Sequence, residues 1–179
     1  MGSGYSFPTN ANIAAHSGQI INHAVLGNDL GISQPTLKAW ISILKESYII
    51  FSLPPFFRNI NKRLVKSSKL YFYDTGLLCY LLGIESAEAL KSRKEKGAIF
   101  ETMMVSEYIK SRIFAGQEPW GYFLRDTNQN EIDLLTKDGT AMKAYEIKSS
   151  SEMNEKYFSV MKKLSEPLER NSQIMRLLL

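Results

Sequence analysis

The charged run from Glu85 to Lys96 restricts the fold of this chain more than any other feature, because the residue patterns on its two sides differ. Lys91, Arg93, Lys94 and Lys96 crowd into it, and such a run stays in solvent. Any core must therefore be built on either side of it, which predicts two modules, 1–96 and 97–179. Their charges differ as well. The first holds 11 Lys and Arg against 6 Asp and Glu, a balance of +5, and the second 11 against 12, a balance of −1. A polyanion such as nucleic acid is the partner suited to the first. No run reaches the ~18 apolar residues of a membrane span; the longest, Trp40 to Phe57, is broken by Lys45, Glu46, Pro54 and Pro55. The lone Cys79 excludes an internal disulfide, and no signal-like amino terminus precedes the first helix, so the expected compartment is the cytoplasm.

The first module reads as mostly helical. Helices are predicted over Ile13 to His23, over Ala24 to Leu30, ended by Gly31, and over Pro35 to Ser47, capped by Ser33. Leu37, Trp40, Ile41 and Leu44 recur at helical spacing and predict a core face. Leu26, Leu30, Ile32, Leu37 and Trp40, with the small Gly27, suit the angle of a helix-turn-helix. Strands at Ile49 to Leu53 and Leu70 to Tyr73 would form a wing, and Asp74 would cap a short helix closed by Gly83. In such a winged helix, Gln34, Thr36 and Lys38 face a major groove, and Arg58, Lys62, Arg63, Lys66 and Lys69 meet phosphates. The same shape also serves protein packing, since a fold does not fix a function.

The second module reads helix, strand, strand, strand, helix, with a last strand at Gln173 to Leu179, as in an α+β sandwich. The helix spans about Gly97 to Phe114. The strands are Gly121 to Arg125, Glu131 to Thr136 and Met142 to Ser149, and a final helix covers Asn154 to Leu164. Glu101 lies on the long helix, Asp133 on the second strand, and Glu146 and Lys148 two apart on the third, hence on one face. Carboxylates on adjacent strands can hold Mg²⁺, and a neighbouring lysine can orient a water and offset developing charge, as phosphodiester hydrolysis requires. A lone Glu-x-Lys is expected about once by chance in a chain of this composition, so its place in the element order carries the weight.

That ordered set resembles the core of the PD-(D/E)XK nuclease superfamily, with Ile132 where a proline is usual. The resemblance implies a restriction-endonuclease-like α/β sandwich, read as cut within its last strand. It implies Asp133 and Glu146 as metal ligands, Lys148 as the catalytic lysine and Glu101 completing the site from its helix. Gly31 to Trp40, Lys69 to Gly76, Gly97 to Glu101, Asn130 to Asp133 and Tyr145 to Ser149 together resemble the carboxy-terminal region of a large prokaryotic family of AAA-type ATPases. In that family an ATPase core precedes a winged helix and a nuclease-like domain of unresolved function. No Gly-x-x-x-x-Gly-Lys-Ser/Thr loop occurs in these 179 residues, so ATP would belong to a core outside them, joined in cis.

Two functions follow as expectations. In one, the winged helix positions DNA and the second module hydrolyses phosphodiester bonds with Mg²⁺. In the other, the chain is a noncatalytic module that docks DNA or protein for the ATPase, and its acids serve folding; Glu146 or Asp133 would then pair with Lys148 or an arginine, leaving no open metal position.

Overall fold

The computed structural model describes residues 8–56, 67–126, 128–139, 141–149, 159, 161–164 and 174–178. The chain folds as a mixed α and β structure. Helix α1 (Pro8–Ala15), strand β1 (Gln19–Ile20), helices α2 (His23–Leu30) and α3 (Gln34–Glu46), strands β2 (Ile50–Leu53) and β3 (Lys69–Phe72), and helices α4 (Thr75–Leu81) and α5 (Ala87–Lys91) come first. Helix α6 (Lys96–Phe114) then leads to β4 (Gly121–Arg125), β5 (Glu131–Asp138), β6 (Ala141–Glu146) and β7 (Ile174–Leu178). Helical residues also occur at 159 and 161–164. No helix among the described residues is long and apolar enough to cross a membrane.

Local chemistry sets most boundaries. Asn22, Ser33, Asp74 and Ser86 each accept a backbone N–H at the start of α2, α3, α4 and α5. Gly31 closes α2 at a φ of 65°, a left-handed conformation natural to glycine. Between α2 and α3, Gly27 is buried, and a Cβ there would lie 3.0 Å from the Ile32 carbonyl oxygen. Gly27→Ala should therefore cost about 1–3 kcal/mol, read as a lower urea midpoint at unchanged slope.

Two sequence expectations fail in this half. Ile13 to His23 is not one helix: the backbone turns at Gly18, φ 77°, whose N–H donates to the Leu70 carbonyl, and β1 pairs with β3. Trp40 is not core. It is 38% exposed, because the stripe formed by the buried Leu37 and Ile41 with the half-buried Leu44 is narrower than the spacing suggested.

The first sheet is antiparallel in the order β1, β3, β2, and the second runs β4, β5, β6, β7, antiparallel except for the parallel β6–β7 pair. They are stitched together where Pro55 bridges Phe123: the Phe56 N–H donates to the Phe123 carbonyl at 2.7 Å, and the Phe123 N–H to that of Pro54 at 3.1 Å.

Strand β3 is buried along its whole length, with a different use for each face. Leu70 and Phe72 pack with Leu26, Leu37 and Ile41 in the first core cluster. Tyr71, one residue out of phase, packs instead with Val105 and Ile109 of α6, Phe123 of β4 and Leu134 of β5. Lys69 shares the Tyr71 parity. Period-two geometry thus delivers Lys69 and Tyr71 from the first half of the chain to the second.

Candidate carboxylate and lysine site

Glu101 lies on α6 and Glu131 and Asp133 lie two apart on one face of β5. The pairing of β5 with β4 shifts register at this point: Tyr122 faces Leu135 but Leu124 faces Ile132, so β5 carries one residue more than β4, in the stretch that includes Asp133. Such an irregularity re-aims side chains. Asp133 is buried, and its Oδ2 accepts the Ile147 backbone N–H at 2.8 Å. That bond takes the chain out of the ladder, which is why β6 ends at Glu146 instead of continuing to Ser149.

Lys148, although beyond the strand end, still returns to its expected neighbours. Its Nζ lies 2.6 Å from Glu146 Oε1 and 3.7 Å from Asp133 Oδ2. The second oxygen of Glu146, Oε2, is buried without a hydrogen-bond partner among the described residues. On the other side, Glu101 Oε1 accepts from Lys69 Nζ at 2.8 Å and from the Tyr71 hydroxyl at 2.6 Å. Lys69 also forms an ion pair with Glu131 Oε1, and Arg125 Nε approaches Glu131 Oε2 at 3.4 Å, without a well-directed hydrogen bond.

The structure therefore brings together the four residues expected from sequence, Glu101, Asp133, Glu146 and Lys148, and adds Glu131, Lys69 and Tyr71. Glu131 is absent from the residues expected from sequence although it stands two before Asp133 at strand spacing, a signal present in the sequence itself. Lys69 was expected to meet phosphates from the wing. It is instead buried, 3% exposed, because it begins β3 on the face turned toward the second half. Gln34, Thr36 and Lys38 are exposed at the start of α3, with Thr36 Oγ1 2.8 Å from the capping Ser33 Oγ. Arg58, Lys62, Arg63 and Lys66 lie outside the described residues.

Carboxylate oxygens of Glu101, Glu131 and Asp133 all lie within 4.8 Å of one another. Hard oxygens this close suit Mg²⁺ or Mn²⁺, and the unsatisfied Glu146 Oε2 adds a further acceptor at the edge of the cluster. Among the described residues, four carboxylates face three cations, Lys69, Lys148 and Arg125, an excess of one negative charge when all four acids are ionised. An open cleft of ≈ 430 Å³, lined by Gly18, Gln19, Ile20, Lys69, Glu101, Arg125 and Glu131, leads to it.

The electrostatics follow from this crowding. Burial, then Glu101 and Glu146, push the Asp133 carboxyl up to about 7 against the opposing pull of Lys69 and Lys148. Glu146 is raised by burial, with Lys148 acting the other way. Burial works against the Lys148 and Lys69 ammonium groups, yet the surrounding carboxylates raise both above the ordinary lysine value. Burial and Glu101 hold the Tyr71 hydroxyl far above a normal tyrosine.

For Asp133 the folded value exceeds an unfolded value of about 3.9, so between pH ~4 and ~7 the folded state binds the extra proton. Its contribution is complete below pH ~4 and is lost as pH rises through ~7. Metal-free protein should lose stability across this window, and Asp133→Asn, which keeps an acceptor for Ile147, should flatten the loss. His23, lowered by burial, Lys38 and Lys45, acts in the opposite sense in both proteins and cancels in the comparison. Urea midpoints from pH 4 to 8 check this; equal slopes for the two proteins would refute it.

Residues 11–88 match a domain of unknown function, DUF8612, and residues 96–177 match another, DUF4143. Uncharacterized proteins of Mycobacterium tuberculosis and Mycobacterium bovis are each 31% identical over 139 residues, covering 78% of this chain and 31% of the relative. The chain thus spans about a third of the length of the curated relatives it matches. No solved structure matches the chain.

Proposed function

We propose that this chain is the DNA-positioning and nuclease-type portion of a longer AAA-type ATPase, a winged helix followed by a PD-(D/E)XK-like domain that hydrolyses phosphodiester bonds with a divalent cation. The observation that carries the reading is the convergence of Glu101, Glu131 and Asp133 on one point, with Glu146 and Lys148 beside it. The order α6, β4, β5, β6, helical residues and β7 supports it, as do relatives about two and a half times as long, which leave room for an ATPase core.

In this reading Asp133, Glu131 and Glu101 hold the ion, and Glu146 orients Lys148. Bound Mg²⁺ supplies polarisation of the phosphoryl oxygen and acidification of water. Lys148, charged at neutral pH, positions the attacking water and meets the charge that develops on the phosphoryl oxygens. Gln34, Thr36 and Lys38 contact the duplex from the start of α3.

A second reading rests on a specific observation. Lys148 pairs with Glu146 and lies near Asp133 within the second half, while Lys69 pairs with Glu101 and Glu131 across the halves, so the acids would also serve folding, the Lys69 pairs as a clasp between the halves. A noncatalytic module docking DNA or protein would need no more.

Incubation of linear, branched and single-stranded DNA with Mg²⁺ or Mn²⁺ separates the two. Cleavage lost in Glu146→Ala and Lys148→Ala supports hydrolysis at this site, and cleavage persisting in both removes it. Binding without cleavage favours docking. Duplex affinity should weaken with salt, and an affinity indifferent to salt would end the phosphate-contact reading.

A further inference from the structure

Lys69 contacts two of the three carboxylates that converge on the candidate cation position. Its Nζ donates to Glu101 Oε1 at 2.8 Å and forms an ion pair with Glu131 Oε1, and oxygens of these residues and Asp133 lie within 4.8 Å of one another. A monovalent ammonium fixed to β3 is therefore placed among the ligands that a divalent ion would share. The two cations want the same oxygens, and a lysine donating to them leaves fewer lone pairs for a metal.

We propose that Lys69 is a tethered competitor for the cation position, and that the site takes up Mg²⁺ or Mn²⁺ as the ammonium leaves Glu101 and Glu131. The proposal rests on the metal reading given above. Two features make the exchange possible. The adjoining cleft is lined by Gly18, Gln19, Ile20 and Arg125, so the flexible four-carbon stem can swing toward solvent without crossing a core. Lys148 remains with Glu146, so the departure of one charge and arrival of two leaves the cluster better neutralised than before. Lys69 comes from the first half of the chain and the carboxylates from the second, so cation uptake in one half is tied to the seating of a strand in the other.

The test measures Mn²⁺ binding by electron paramagnetic resonance for the wild type, Lys69→Met and Lys69→Arg. Lys69→Met should bind about 10-fold more tightly or better, and Lys69→Arg, which keeps the charge, within about threefold of the wild type. In parallel, acetylation of wild-type lysines is followed by mass spectrometry with and without saturating Mg²⁺, the exposed Lys137 serving as reference. Lys69 should be protected without metal and labelled several-fold faster with it. If Lys69→Met does not fold, this labelling decides alone. Equal Mn²⁺ affinity in the wild type and Lys69→Met, or unchanged Lys69 labelling at saturation, overturns the competitor and leaves the metal site standing. Absence of Mn²⁺ binding in every protein overturns both.

Discussion

If the proposed hydrolysis takes place at this site, Asp133→Ala is expected to lower Mg²⁺-dependent DNA cleavage by about 100-fold or more, the largest functional effect of any single substitution in the cluster. Asp133 is the group on which the geometry converges. It belongs to the set of three carboxylates, approaches Lys148 at 3.7 Å, and its Oδ2 accepts the Ile147 N–H that ends β6. Alanine removes the proposed ligand and also leaves that buried N–H unpaired, a loss that lowers stability as well. Asp133→Asn separates the two effects, because its side-chain oxygen can still accept from Ile147 while its charge is gone. Matching losses in the two variants place the effect in the chemistry. Cleavage by Asp133→Asn within about threefold of the wild type would remove Asp133 from the mechanism.

Phe123→Ala is expected to cost about 3–5 kcal/mol and to unfold both halves in one transition. Phe123 is fully buried at the centre of a cluster drawn from Phe51, Leu53 and Tyr71 on one side and Val105, Ile109 and Leu134 on the other. Its backbone makes the two hydrogen bonds that stitch the sheets together, through Phe56 and Pro54. Truncating the ring opens a cavity at the junction and leaves those bonds without packing around them. Trp40 is part-exposed in the first half and Trp120 part-exposed in the second, so fluorescence and circular dichroism can follow the halves against the whole. Two separated transitions in the wild type would show that the shared cluster does not couple them.

The helical boundaries were legible because their causes are local. Ser33 and Asp74 cap through their own side chains, Gly31 turns left-handed within its own peptide, and α6 spans Lys96–Phe114 where Gly97 to Phe114 was read. Glu101, Asp133, Glu146 and Lys148 were legible for a similar reason: strand parity and element order restrict where such side chains can point. The errors fell where a distant partner decides. The chain leaves the helical path after Ala15 and turns at Gly18, whose N–H Leu70 accepts, and β6 stops at Glu146 because Asp133 accepts from Ile147.

The sequence by itself determined most of the elements and their order, though not β1 or α5, together with the division of charge and the four residues of the expected site. Tertiary structure alone decided that a third cation, Lys69, joins the site from the other half of the chain. Lys69 reads in sequence as one more member of a basic connection. Only the pairing of β3 between β1 and β2, and the packing of its Tyr71 face on α6 and β4, turns that lysine inward to Glu101 and Glu131. Charge patterning records how many cations a segment carries, whereas burial follows from which face of a strand meets a second layer, and that is settled by contacts far apart in the chain.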